Sequence, residues 1–156
     1  MGLASIIISA ATKEATEYIK KRKNHEVKSL KTRWNKFNAA CMGGIEPNTV
    51  YTIVGISGSG KSSFVNTLEN DLIDLNSDQD VIVLNFSFEM LSSRQVGRKL
   101  SSKLRLTTAE LYSANNDLDN ESLAKVEETS QQIKSYPIYY VDTPGTVEDI
   151  ASTIDY

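Results

Sequence analysis

Thr49-Val50-Tyr51-Thr52-Ile53-Val54-Gly55-Ile56-Ser57-Gly58-Ser59-Gly60-Lys61-Ser62-Ser63 is the stretch on which the fold turns. Its first six residues form a β-branched run that reads as a strand, Thr49 to Val54. Gly55 to Ser62 then has the spacing Gly-x4-Gly-Lys-Ser, and a helix-forming run follows, which is the context a Walker A loop requires. The chemistry explains the residue types. Three glycines let the backbone curl until several amides face one anion, and the helix N-terminus adds a partial positive charge. Gly55, Ser57, Gly58, Ser59, Gly60, Lys61, Ser62 and Ser63 are therefore the candidate phosphate-binding residues. Lys61 is placed to bridge the outer phosphates. The Ser62 hydroxyl is a candidate ligand for Mg2+, which prefers hard oxygen and keeps several waters.

Outward from this loop, strands and helices alternate. Lys61 to Leu75 reads as a helix, Val81 to Phe88 as a buried strand, Leu91 to Leu104 as a second helix and Ile138 to Val141 as a third strand. Thr107 with Glu110, and Asn120 ahead of a helix-forming run to Lys134, open two more helices, and Thr146 caps a last one running to Tyr156. The pattern predicts an α/β fold whose parallel sheet carries helices on both faces, because parallel strands need crossovers. A chain of 156 residues with 40% apolar and 24% charged residues is expected to bury a core without metal or disulfide.

Before the loop, Ile8, Ala11, Ala15, Tyr18 and Ile19 recur at helical spacing, so a helix is predicted from about Ser9 to Lys23, capped by Ser9 or Thr12. Its apolar stripe is narrow, so it should dock on this chain or another. Asn24 to Ala40 reads as a connecting segment anchored by Trp34 and Phe37. Nine basic residues lie between Lys13 and Lys36 against three acidic ones, in a chain whose net charge is −3. Such an arm suits nucleic acid, an acidic face of a neighbouring subunit, or simply a solvated helix face.

A phosphate loop establishes binding, not the reaction. Hydrolysis also needs a group that orients or deprotonates water and a carboxylate near the metal. Glu89 follows the apolar run Val81 to Phe86, at a strand's carboxyl end where open α/β sheets place ligands. It is either a general base or a glutamate favouring a helix N-terminus. Asp142 ends the strand Ile138 to Val141 as a Walker B aspartate would, and Asp142-Thr143-Pro144-Gly145 also fits the Asp-x-x-Gly of GTPases. Asn35-Lys36-Phe37-Asn38 looks like a guanine-recognition box but ends in Asn where Asp is needed.

Other functions are excluded by count. One cysteine, Cys41, allows no internal disulfide, and with the single His25 it cannot build a cysteine-histidine zinc site. The apolar stretch Leu3 to Ala11 is too short to span a bilayer, lacks basic residues ahead of it, and has Ile6 where a myristoylation signal carries Ser or Thr. No membrane partner and a cytoplasmic location are expected.

Phe86-Ser87-Phe88-Glu89-Met90 resembles the strand-end signature of DnaB-type replicative DNA helicases, whose ATPase domain is RecA-like. Trp34 to Asn38 leading to Gly43-Gly44-Ile45-Glu46-Pro47, Arg98 to Ala114, and Tyr140-Val141-Asp142-Thr143-Pro144-Gly145 are similar to family segments in the same order. The resemblance runs from about Leu30 to the end. It implies a RecA-like P-loop NTPase fold over 35–156, preceded by a linker helix and connecting segment over 1–34. It also implies ATP and Mg2+ at Gly55 to Ser62, with Lys61 and Glu89 as the catalytic pair and Glu89 activating water. A homo-oligomeric, hexameric ring joined through the N-terminal helix and single-stranded DNA as partner belong to the same expectation, in a bacterial or phage-infected cytoplasm. By the same reasoning the Walker B aspartate, the DNA-binding loops and the arginine finger fall beyond Tyr156, so a phage-like or truncated form, incomplete at its C-terminus, is expected. Two alternatives remain beside this one: a complete P-loop NTPase of GTPase or kinase type with Asp142 on the metal, and a non-catalytic ATP-binding regulator.

Overall fold

The computed structural model describes residues 6–114 and 118–154. The chain divides into two units at Thr52 and Ile53.

In the first unit, α1 (Ile8–Lys23) ends on Lys20, Lys21, Arg22 and Lys23, which favour the negative end of the helix dipole. Neither Ser9 nor Thr12 caps it: the N-cap is Ile7, without a side-chain bond, and the Thr12 hydroxyl instead donates to the Ile8 carbonyl 2.8 Å away. A hydroxyl one turn into a helix has the carbonyl four residues back within reach, and that bond competes with capping. The apolar stripe engages through Tyr18, whose hydroxyl donates to Glu46 Oε1 at 2.8 Å, and the next turn through Arg22, which donates to Ser29 Oγ at 3.0 Å and the Met42 carbonyl at 2.6 Å. The connecting segment contains a short helix, α2 (Asn35–Ala40), and an antiparallel bridge between Leu30 and Ile45. Gly44 lies against that bridge: a Cβ there would sit 2.0 Å from the Leu30 carbonyl oxygen, so only glycine fits. Asn38, in the sequence that imitates a guanine box, brackets Thr32. Its Oδ1 accepts from the Thr32 amide at 3.1 Å and hydroxyl at 2.7 Å, and its Nδ2 donates to the Thr32 carbonyl at 2.7 Å. The box is a structural clasp.

The run that crosses from the first unit into the second is irregular. Residues 49–56 form no strand, against expectation, and Val50, Val54 and Ile56 are exposed. β-Branched residues favour a strand only where a neighbouring strand supplies hydrogen bonds and packing, and among the described residues none pairs with this run. From Lys61 the expected order holds: α3 (Lys61–Asp74), β1 (Val83–Phe86), α4 (Ser92–Leu104), α5 (Thr108–Tyr112), α6 (Asn120–Lys134), β2 (Ile138–Val141) and α7 (Val147–Ile154). Thr107 and Glu110 complete a capping box on α5. Asp119, rather than Asn120, caps α6 by accepting the Ser122 amide at 2.6 Å. Thr146 accepts the Asp149 amide at 3.2 Å at the start of α7, and the expected end of that helix at Tyr156 lies outside the described residues.

β1 and β2 pair in parallel, Val83 with Ile138 through Phe86 with Val141. Side chains alternate across a strand, and the two faces differ. Asn85 bonds to Glu69 of α3 and Gln95 of α4, while Ile138 and Tyr140 border a hollow of about 410 Å3 with Val96, Lys99 and Ile133. The opposite face, with Ile82, Leu84 and Tyr139, stays exposed and meets Ile154 of α7 only across an open hollow. Among the described residues, helices thus close one face of the sheet, not both. The interior also departs from expectation. Among the described residues Ile133 is the buried hydrophobic one, whereas Asn66, Glu69, Asn70, Asp71, Asn76, Gln95 and Lys99 are all buried. α3 turns a polar face inward, where Asn85 donates to Glu69 and Lys99 pairs with Glu69 and reaches the Asn66 carbonyl, while both side-chain polar atoms of Asn70 and the Asn66 Oδ1 have no hydrogen-bond partner among the described residues.

Candidate functional site

The loop before α3 is built by its glycines. Gly58 and Gly60 have φ of +78° and +89°, in the left-handed region that a Cβ disfavours. The Ser59 amide closes the turn on the Ile56 carbonyl at 3.2 Å. Gly55 sits close under Ser59, whose Oγ a Cβ at position 55 would approach to 2.5 Å. Gly60, the N-cap of α3, brings no side chain to the helix end, so the first amides of α3 have no side-chain acceptor. That end is suited to an anion. The Lys61 ammonium folds over the loop and donates to the carbonyls of Gly55 at 2.7 Å and Ile56 at 2.9 Å.

A hollow of about 490 Å3 opens on this loop, lined mainly by polar surface. Ser57, Gly58 and Gly60 through Ser63 line it from the loop and the start of α3; Glu89, just past β1, and Arg98 of α4 line it too. Gly55 and Ser59 are not in its wall; they shape the turn beneath. The fold thus gathers Ser57, Gly58, Gly60, Lys61, Ser62, Ser63 and Glu89 in one place although Glu89 lies 28 positions from Lys61 in the sequence. Arg98 was not among the sequence candidates. The helix that carries it also holds Arg94, Lys99 and Lys103, and a helical pattern alone does not tell which of these cations faces a site.

Asp142 is placed elsewhere. Its Oδ2 accepts the Ser92 amide at 3.0 Å at the start of α4, and it does not line the hollow. That bond from the backbone amide holds its carboxyl below the usual range. α4 has no cap from its own N-cap residue, Leu91, so a carboxylate from the end of β2 does the capping. Hard oxygen for a divalent cation is available at the Ser62 hydroxyl and the Glu89 carboxylate. Among the described residues there is no cluster of three or more His, Cys, Asp or Glu of the kind that holds a metal by protein ligands alone.

Residues 29–155 match the family description "DnaB-like helicase C terminal domain". The chain belongs to the DnaB-like helicase C-terminal domain family. Membership gives the chain the α/β class of a helicase ATPase domain, and the parallel β1–β2 pair with its covering helices is compatible with a RecA-like arrangement. Among curated proteins, none matches this chain. No helix among the described residues is long and apolar enough to cross a membrane.

Proposed function

We propose that this DnaB-like domain binds ATP with Mg2+ at the loop Gly55 to Ser62 and, within an assembled ring, hydrolyses it to move single-stranded DNA. The observation that carries the reading is the common hollow of Lys61, Ser62, Glu89 and the left-handed glycine loop. Its polar wall and the uncapped start of α3 fit a polyphosphate. Amides of the Ser57–Gly60 turn and of the first turn of α3 hold the phosphate oxygens, and Lys61 exchanges its two carbonyl partners for the outer phosphates. Ser62 contributes one oxygen to Mg2+, which screens charge on the terminal phosphates. Glu89 is exposed, within the same hollow and free to orient a water. Asp142, committed to the start of α4, gives the GTPase or kinase reading no metal ligand.

The wider reading is proposed on family grounds: residues 1–34 as linker and 35–156 as part of the ATPase domain, α1 docking on the next subunit of a hexamer, and replication in the cytoplasm as the setting. Turnover is expected to need an arginine from a neighbour, so the chain alone should bind nucleotide but hydrolyse it weakly. Calorimetry with ATP and Mg2+ tests the core of this. Binding is expected, and Lys61→Ala should weaken it about ten- to a hundredfold, the value of a charge-assisted bond. Absence of any heat in the unsubstituted chain would end the reading. Glu89→Gln should leave affinity intact and lower turnover roughly a hundredfold wherever turnover is measurable.

A further inference from the structure

Behind the phosphate hollow, α3 and α4 meet through charge. Lys99 is 1% exposed and Glu69 4%, and the two form an ion pair. Lys99 Nζ also reaches the Asn66 carbonyl at 3.5 Å, and Asn85 of β1 donates to both Glu69 and Gln95, the latter at 3.4 Å. Burial pulls the lysine's pKa down and Glu69 pushes it back up. Such a pair is a poor device for stability, because taking two charges out of water is costly and an apolar pair of similar volume often does as well. What it supplies is direction. Hydrophobic contact is indifferent to rotation, whereas an ion pair whose ammonium donates to one carboxylate oxygen is directional and favours one rotation of a helix about its axis.

That rotation matters here because Arg98 is the neighbour of Lys99 on α4. Consecutive helical residues point about 100° apart, and one residue of slippage shifts a side chain by about 1.5 Å along the axis as well. With Lys99 drawn to Glu69, two turns beyond Lys61 on α3, Arg98 faces the hollow that Lys61 and Glu89 share. We propose that the buried Lys99–Glu69 pair is a positioning device that sets α4 against α3 so that Arg98 meets the terminal phosphate of a bound nucleoside triphosphate. This rests on the nucleotide-binding reading above.

The test is a double-mutant cycle read as the ratio of ATP to ADP affinity, both with Mg2+, on the whole chain. Arg98→Ala should lower that ratio about tenfold, as loss of a charged hydrogen bond to the extra phosphate does. The apolar replacement Glu69→Leu with Lys99→Met removes the pair without leaving a lone buried charge. It should lower the ratio by a similar factor, and adding Arg98→Ala to it should cost less than about twofold more. A purely structural pair would shift ATP and ADP affinity together and leave the full Arg98→Ala effect in place, and that outcome overturns the proposal. So does an Arg98→Ala chain with an unchanged ratio. If the double replacement fails to fold, Glu69→Gln with Lys99→Met takes its place, since it removes both charges and the pair while Gln keeps the volume and an acceptor for Asn85. A fall of at least about threefold in the ratio is then expected, and an unchanged ratio in the folded variant refutes the idea. Failure of the unsubstituted chain to bind either nucleotide would instead defeat the nucleotide-binding reading itself.

Discussion

Replacing Gly60 by alanine isolates the role of backbone conformation in the phosphate loop. At Gly60 φ is +89°, and a Cβ built there meets no atom within 4 Å. The substitution therefore introduces no clash and changes no charge. Its whole effect is the cost of holding an L-residue in the left-handed region, about 1–2 kcal/mol. Without ligand the loop escapes this cost by relaxing, because it is exposed and the N-cap makes no side-chain bond. With polyphosphate bound, the amides must return to the observed conformation and the cost falls on affinity. Gly60→Ala should then weaken binding of ATP with Mg2+ about 5- to 30-fold, with a change in melting temperature too small to account for it. Gly58→Ala, at φ +78° and equally open, should behave alike. Gly55→Ala is the contrast: its φ is ordinary, and its obstruction is the Ser59 hydroxyl, a group that turns aside. Calorimetric affinities beside thermal melts decide the matter. If the Gly60 variant binds as tightly as the unsubstituted chain while Gly55→Ala does not, the observed loop is not the one that holds phosphate, and the reasoning is wrong.

Gly97→Ala should destabilise the second unit by roughly 1–3 kcal/mol, since a Cβ there would stand 1.9 Å from the Tyr112 hydroxyl and force α5 off α4. In a thermal melt, adding Tyr112→Ala should recover part of the loss, less what the Arg94–Tyr112 ring contact contributes. Acid should loosen the helix ends. Glu110, Asp119, Asp142 and Asp149 accept hydrogen bonds from the amides of Thr107, Ser122, Ser92 and Thr146, and each has a folded pKa below its ordinary value. A depressed folded pKa means stability that is complete above the unfolded value, about 4, and lost as pH falls through the lower folded values. Circular dichroism against pH should show helix loss below about 4, and Asp119→Asn with Asp142→Asn should flatten that dependence. A helix signal insensitive to both would remove the capping role assigned to these carboxylates.

What the sequence determined by itself was local. The glycine spacing of the loop, the capping box at Thr107 and Glu110, the extent of α6 and the strand Ile138–Val141 rest on bonds and periodicities within a few residues, so they are legible before any fold exists. The run Thr49–Val54 carries the same kind of local preference and still forms no strand, because a strand is completed by a neighbour that composition does not supply. Tertiary structure alone decided the pairings across distance: Asp142 to the Ser92 amide, Lys99 to Glu69, and Arg98 beside Glu89 and Lys61. Those contacts depend on how far each helix is rotated about its axis against the next, and one-dimensional spacing says which residues share a face without saying what that face will meet.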